Sequence, residues 1–208
     1  MAHIAVARFD DAQDTEQHNS SDVLRPSRPE ELAKVHSWLM EAIDTSPFYC
    51  DEFKAYERER LTPGWLVALY RMDPHHIMIM QDQSGDAVGF MISGPELGTL
   101  WLYWSYLVPA KRRSAVAMGS MRAFISHWDN GHFHKIATYT KQGNAPAATI
   151  MKRFGFDEIA VLRKHIFGED YVLYERELNK VTPGYDHGVD FSGRLAPLKK
   201  LLAVIVGQ

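Results

Sequence analysis

The sequence predicts an α/β (α+β) fold, with helices flanking a mixed, mostly antiparallel central sheet. Three observations carry this. Leu32, Val35, Leu39 and Ile43 recur at helical spacing, and dense charge follows across 51–61. The chain then changes period, and 76–81, 87–93 and 99–108 are compact apolar runs separated by turn residues. Beyond them helix, strand, helix and two strands succeed one another as far as Leu178.

Each element has a local cause. Val23–Leu24–Arg25 is extended because Pro26 biases Arg25 away from helix. Ser27 reads as the N-cap of the first helix, with Pro29 early and Glu30 and Glu31 in the first turn. A second helix is expected over Asp51–Leu61 and a third over Pro63–Arg71. The apolar runs form a meander, turned first at Ser84–Gly85 and then at Gly94–Pro95 with Gly98. Pro109 ends the third run, and a helix with Val116, Met121, Phe124, Ile125 and Trp128 follows over Ser114–Trp128. Asn130–Gly131 closes that helix, and Ile136–Thr140 is a strand. Ala145–Phe154 is a helix stopped by Gly155; 161–166 and 171–178 complete the sheet around Gly168–Glu169.

At 208 residues the chain holds one domain with extensions. Residues 1–21 form a flexible N-terminal tail, polar from Asp10 to Ser21, with Ile4, Val6 and Phe9 as a candidate short strand. The domain spans 22–178. Residues 179–208 are a C-terminal extension whose stripe of Leu195, Leu198, Leu201, Leu202 and Ile205 packs on the domain or on a second copy, as in a homodimer. Cys50 is the single cysteine, which excludes an internal disulfide and a multi-cysteine zinc site and suits a cytoplasmic setting. A net charge of −3 gives no global attraction to nucleic acid or anionic lipid. No apolar run reaches the ~20 residues of a membrane span, and the N-terminus lacks the pattern of a secretory signal. His75, His76, His132 and His134 have no carboxylate or cysteine pattern to complete a metal site, so no metal is expected.

Two stretches carry chemistry. Leu107–Val108–Pro109–Ala110–Lys111–Arg112–Arg113–Ser114–Ala115–Val116–Ala117 is a strand end, a small-residue turn and a helix start. A helix N-terminus offers unpaired N–H groups and a positive dipole end, small side chains admit a phosphate, and the basic cluster adds charge. The alternative is a loop with solvated charges. In the second stretch, Asn144 caps a helix that ends at Gly155 before Phe156. Alone it reads as a well-capped core helix.

Together these stretches resemble the GNAT superfamily of acetyl-CoA-dependent N-acetyltransferases. That family's phosphate loop has an apolar residue, Pro, Arg or Gln, Gly, and Gly or Ala at spacings met by Leu107, Pro109, Arg112, Ala115 and Ala117. Its later Asn and Gly-Phe fall on Asn144, Gly155 and Phe156, and the element order agrees from Val23 to Leu178. The resemblance implies acetyl-CoA as cosubstrate and acetyl transfer to a primary amine on a small molecule, protein or peptide. It places the pyrophosphate on Arg112, Arg113, Ser114, Ala115, Val116 and Ala117, the pantetheine arm along Leu107 and Val108, and Asn144 near the arm or thioester. The acceptor would enter between the early helices and the last strands.

Departures define the alternative. Ala115 replaces a usual Gly, Met151 stands where many members have a proton-donating Tyr, and 99–108 lacks a carboxylate, with Glu96 at its entrance. Tyr139, Tyr103 and Tyr106 are then the candidate acids, and Ser105 a candidate for positioning a water. Trp101, Tyr103, Trp104 and Tyr106 suit a packed strand or an aromatic acceptor pocket. The competing reading is a degenerate GNAT-like module that binds a partner or coenzyme A without turnover. A third, acyl transfer to charged tRNA, would use Lys111–Arg113, Arg153 and Lys164.

Overall fold

Among the described residues eight strands form one sheet in the order β2-β3-β4-β5-β1-β6-β8-β7. The computed structural model describes residues 3–4, 23–112 and 115–182. The strands are β1 (His3–Ile4), β2 (Leu24–Pro26), β3 (Ile77–Gln81), β4 (Ala87–Glu96), β5 (Thr99–Leu107), β6 (Lys135–Lys141), β7 (Asp157–Ile166) and β8 (Glu169–Glu177). The helices are α1 (Leu32–Thr45), α2 (Asp51–Arg60), α3 (Pro63–Met72), α4 (Val116–Trp128) and α5 (Ala145–Arg153). Strands β2 to β5 form an antiparallel meander, β8 lies antiparallel between β6 and β7, and only the pairings among β5, β1 and β6 are parallel.

The sheet is covered on both faces, which is why its central strands read as continuous apolar runs. Against one face α1, α2 and α3 pack Val35, Leu39, Ile43, Phe53 and Leu66 onto Ile77, Ile79, Phe90, Trp104 and Tyr106. Against the other, α4 and α5 pack Phe124, Trp128, Ile150 and Met151 onto Met78, Met80, Leu100, Leu102 and Ile136. Strand β3 shows the division directly, since Ile77 and Ile79 serve one core and Met78 and Met80 the other.

Two sequence expectations give way. Ser27 is not an N-cap; it is buried, and its N–H donates to the Ile77 carbonyl at 2.8 Å, prolonging the β2–β3 ladder. A single 3-10 turn at Pro29–Glu31 leads into α1 instead. The Glu31 carboxylate accepts from the Arg28 N–H at 2.8 Å and from both Arg25 terminal nitrogens at 2.8 and 2.6 Å. The Arg25 guanidinium pulls the Glu31 carboxyl down to about 2. Nor does Gly94–Pro95 turn the chain: β4 runs through to Glu96, and Leu97–Gly98 makes the bend. Gly94 is there for space, because a Cβ would lie 2.5 Å from Cε2 of Tyr103. The last hairpin likewise bends at Phe167–Gly168.

At the N-terminus His3 and Ile4 lie in the sheet. Val6, Phe9 and the rest of 5–22 lie outside the described residues, as do 183–208 with the Leu195–Ile205 stripe.

His76 is buried beneath the meander, its ring stacked 4.9 Å from Trp128 and its Nδ1 3.4 Å from the Ser93 hydroxyl. His127 stacks at 4.1 Å on His75, whose Nδ1 lies 2.8 Å from Asp73. Burial, above all, brings both His76 and His127 down to about 4. The unfolded chain protonates such groups near pH 6.5 and the native chain resists until about 4. Stability therefore falls with acid across that window. Urea unfolding should lose about 2 kcal/mol between pH 7 and pH 5 for the buried His76, and less for the half-exposed His127, whose shift solvent screens; equal midpoints at the two pH values would contradict the burial argument.

Candidate active site

The site begins where β5 and β6 stop pairing. They run in parallel register only from Thr99 to Trp101, opposite Lys135 to Ala137. In the β4–β5 ladder Ile92 opposes Trp104 while Ser93 opposes Leu102, so Tyr103 is an extra residue. Such a bulge bends its strand and sharpens the twist, and past it β5 leaves β6. At the parting the Thr138 hydroxyl donates to the Leu102 carbonyl at 3.0 Å, a bond that the β6 backbone no longer supplies. β1 lies in the gap, parallel to both neighbours, with His3 opposite Trp104 and Tyr139 and Ile4 opposite Ser105.

The bulge also sets side-chain faces. Tyr103 packs on Trp65 of α3 at 6.0 Å, and Trp104 and Tyr106 belong to the core beneath α1–α3. Tyr139 joins that face, 5.0 Å from the Trp101 ring and 5.2 Å from the ring of the exposed His165. All three candidate acids, Tyr103, Tyr106 and Tyr139, thus share one face. Alternation past the bulge turns Ser105 to the other. Burial, with Glu96 next, pushes the Tyr103 phenol up to about 12. Burial followed by Glu96 and Glu175 raises Tyr139. Both phenols stay protonated at neutral pH and can act as proton donors.

Carboxylates reach β5 from the helices, not from the strand. Tyr106 donates to Glu41 of α1 at 2.6 Å, and burial together with this bond raises its phenol. Glu57 of α2 is fully buried; it accepts from Trp104 Nε1 at 3.3 Å and from Arg60 at 3.0 and 2.8 Å. The dense charge of α2 predicted a helix and hid this inward carboxylate. His165 left no mark in the sequence either. Its place comes from an irregular β7–β8 register between Leu162 and Ile166, with Lys164 at φ 49°.

The turn after β5 is partly as expected. The basic cluster is divided: Lys111 is held by Asp82 at 2.8 Å, while Arg112 Nε donates to the Leu107 carbonyl at 3.3 Å and its guanidinium lies 5.8 Å from the Tyr106 ring. The turn after β3 brings Asp82 beside the loop, which is why Lys111 leaves it. Arg113 and Ser114 lie outside the described residues. Ala115 has φ −68°, an ordinary helical value, so its place needs no glycine. The Gly119 N–H to the Ala115 carbonyl, at 2.9 Å, is the first bond of α4, and the N–H groups of Val116, Ala117 and Met118 precede that ladder. The Val108 N–H donates to the Val88 carbonyl at 2.9 Å, so alternation turns the backbone of Leu107 and Ser105 toward the gap.

Asn144 is buried, and its Oδ1 accepts from the Ala147 N–H at 3.3 Å, capping α5. Met151 is fully buried in the core of α4 and α5, and Gly155 ends α5 at φ 69°. Among the described residues no three His, Cys, Asp or Glu side chains group as metal ligands, and no helix is long and apolar enough to cross a membrane.

A helix starts beyond the end of β5, as the first stretch predicts, and Asn144 caps a helix, as the second predicts. Solved structures show the fold. The GNAT superfamily phosphinothricin acetyltransferase of Sinorhizobium meliloti, in complex with acetyl-CoA, superposes with a TM-score of 0.62, covering 80% of this chain and 94% of its own at 13% identity. The chain has the GNAT fold. A putative acetyltransferase of Salmonella typhimurium with its cofactor acetyl-CoA gives 0.63 at 14% identity, covering 77% and 96%. The ribosomal-protein-alanine N-acetyltransferase of Brucella melitensis gives 0.61 at 18% identity, covering 75% and 99%. No protein-family model matches the sequence, and no curated protein does.

The bond from Trp104 to Glu57 ties α2 to the sheet, and Arg60, one turn along the same helix, neutralises that buried carboxylate. Arg60→Met keeps the aliphatic stem but leaves a buried carboxylate without its cation, and should cost about 3 kcal/mol in urea unfolding. Adding Glu57→Gln should restore most of that loss. A single variant as stable as the parent would contradict the pairing.

Proposed function

We propose that the protein is an N-acyltransferase that moves an acetyl group from acetyl-CoA to a primary amine. The observation that carries this reading is the gap between β5 and β6, which leads to the N-terminus of α4. An extended arm bearing amides needs a strand edge, and the Ser105 and Leu107 backbone offers one. A pyrophosphate needs N–H groups and positive potential, which Val116, Ala117 and Met118 offer at the helix start, with Arg112 nearby. In this reading Arg113, Ser114 and Ala115 complete the phosphate turn. Val108 is committed to Val88, so Leu107 bonds the arm and Val108 packs beside it. GNAT neighbours with acetyl-CoA bound support this choice of cosubstrate.

The acceptor enters on the α1–α3 face, among Trp101, Tyr103, Tyr139 and His165. Its neutral nitrogen attacks the thioester carbon, forming the C–N bond and placing charge on the carbonyl oxygen. A backbone N–H of β5 facing the gap holds that oxygen. Collapse breaks the C–S bond. The Tyr139 phenol gives a proton to the sulfur, and the amine loses one to the His165 imidazole, directly or through water. Proton count is conserved once solvent re-equilibrates the two. Tyr103 lines the acceptor side. Ser105, on the opposite face, positions the arm, and Asn144 acts by holding α5 in place.

Calorimetry should detect coenzyme A binding, and an amine panel with acetyl-CoA should give acylated product. Tyr139→Phe should lower kcat about a hundredfold with little change in KM, and Ser105→Ala should leave kcat within about twofold. Binding without product from any amine would favour the non-catalytic module, to which the burial of Met151 at the family's tyrosine position points.

A further inference from the structure

We propose that the gap between β5 and β6 is a strand-binding site which the chain's own N-terminal segment fills, and that this segment and the pantetheine arm exclude one another. The inference rests on the acyl-CoA reading above.

The gap has room for one strand. β5 and β6 are directly paired up to Trp101 and Ala137, and immediately beyond, His3 and Ile4 are paired to β5 on one side and His3 to β6 on the other. Neighbouring strands sit about 4.8 Å apart, so β5 and β6 flank β1 at about twice that spacing. A second extended chain does not fit beside it.

Both occupants need the same groups. The Ser105 backbone faces the gap, and Ile4 lies opposite it. An arm running from the α4 N-terminus toward the bulge would need that edge in turn. Direction sharpens the conflict. Because β1 is parallel to β5, it points from Trp104 toward Leu107 and the start of α4. β1 and the arm lie along one track, and His3 sits at its closed end beside the Tyr103 bulge.

The contact is weak enough to reverse. It comprises two residues, and a backbone bond that replaces bonds to water contributes little net. Tethering through 5–22 supplies a high local concentration. The segment satisfies strand-edge N–H and C=O groups that would otherwise face an open gap, and it yields to a ligand able to do the same.

The test uses the full-length chain with His3→Pro or Ile4→Pro. Adjacent strand residues send their N–H groups to opposite neighbours, so one variant loses a donor toward β5 and the other a donor toward β6. Circular dichroism checks that each is folded. If the segment holds the gap about nine-tenths of the time, each variant binds coenzyme A about tenfold more tightly by calorimetry than the unmodified chain. A peptide of residues 1–8 added to Ile4→Pro should then raise the apparent Kd competitively. Equal affinity in all three proteins overturns the proposal and leaves the functional reading standing. No binding by any of them overturns the functional reading; amide exchange at Ser105 then decides the strand site alone. Faster exchange in the proline variants upholds it, and unchanged exchange overturns it.

Discussion

The extra residue at Tyr103 is the constraint on which the rest depends. A sheet of regular register would keep β5 and β6 bonded along their length and leave no opening at its centre. One bulge turns the end of β5 away, and Thr138 closes the last carbonyl before the parting. Gly94 lies opposite this distortion because the displaced Tyr103 ring occupies the space of a Cβ. Two features that look independent in sequence, a strand glycine and an aromatic-rich strand, are two sides of one packing requirement.

The parting also separates two chemistries. On the α1–α3 face aromatic rings and a histidine gather around Tyr139, and burial with nearby carboxylates keeps the phenols protonated. On the track between the strands only backbone is offered, and beyond it the unladdered N–H groups of α4. In the proposed reaction, proton transfer and ligand holding would fall to different parts of the chain. Glu41 and Glu57 are locked to Tyr106 and Trp104 from α1 and α2. They serve to fix the bulged strand against the helices.

The fold was largely legible because each element carried its own signal. The Leu32–Ile43 stripe, the Asn144 cap and the Gly155 stop all act within a few residues. The failures were places where distant partners decide. Ser27 has the chemistry of a cap, but the ladder to Ile77 claims its backbone. Lys111 belongs to a basic run, but Asp82 from another turn claims its charge. Ala115 stood out against the family's glycine, yet its φ shows that no special conformation was needed. Tyr103, Tyr106 and Tyr139 were legible as candidates because a phenol is the strongest neutral proton donor these strands carry. His165 and the buried Glu57 were not, since their roles arise from register and helix orientation. Nothing near Ile4 indicated that its neighbours would be β5 and β6.

The most direct test is a crystal structure of the full chain grown with coenzyme A. The account predicts the pantetheine arm between β5 and β6, bonded to the gap-facing backbone of Ser105 and Leu107. It places the pyrophosphate at the N–H groups of Val116 to Met118, and His3 and Ile4 out of the sheet. Coenzyme A bound elsewhere, with β1 still paired to Trp104 and Tyr139, would contradict it.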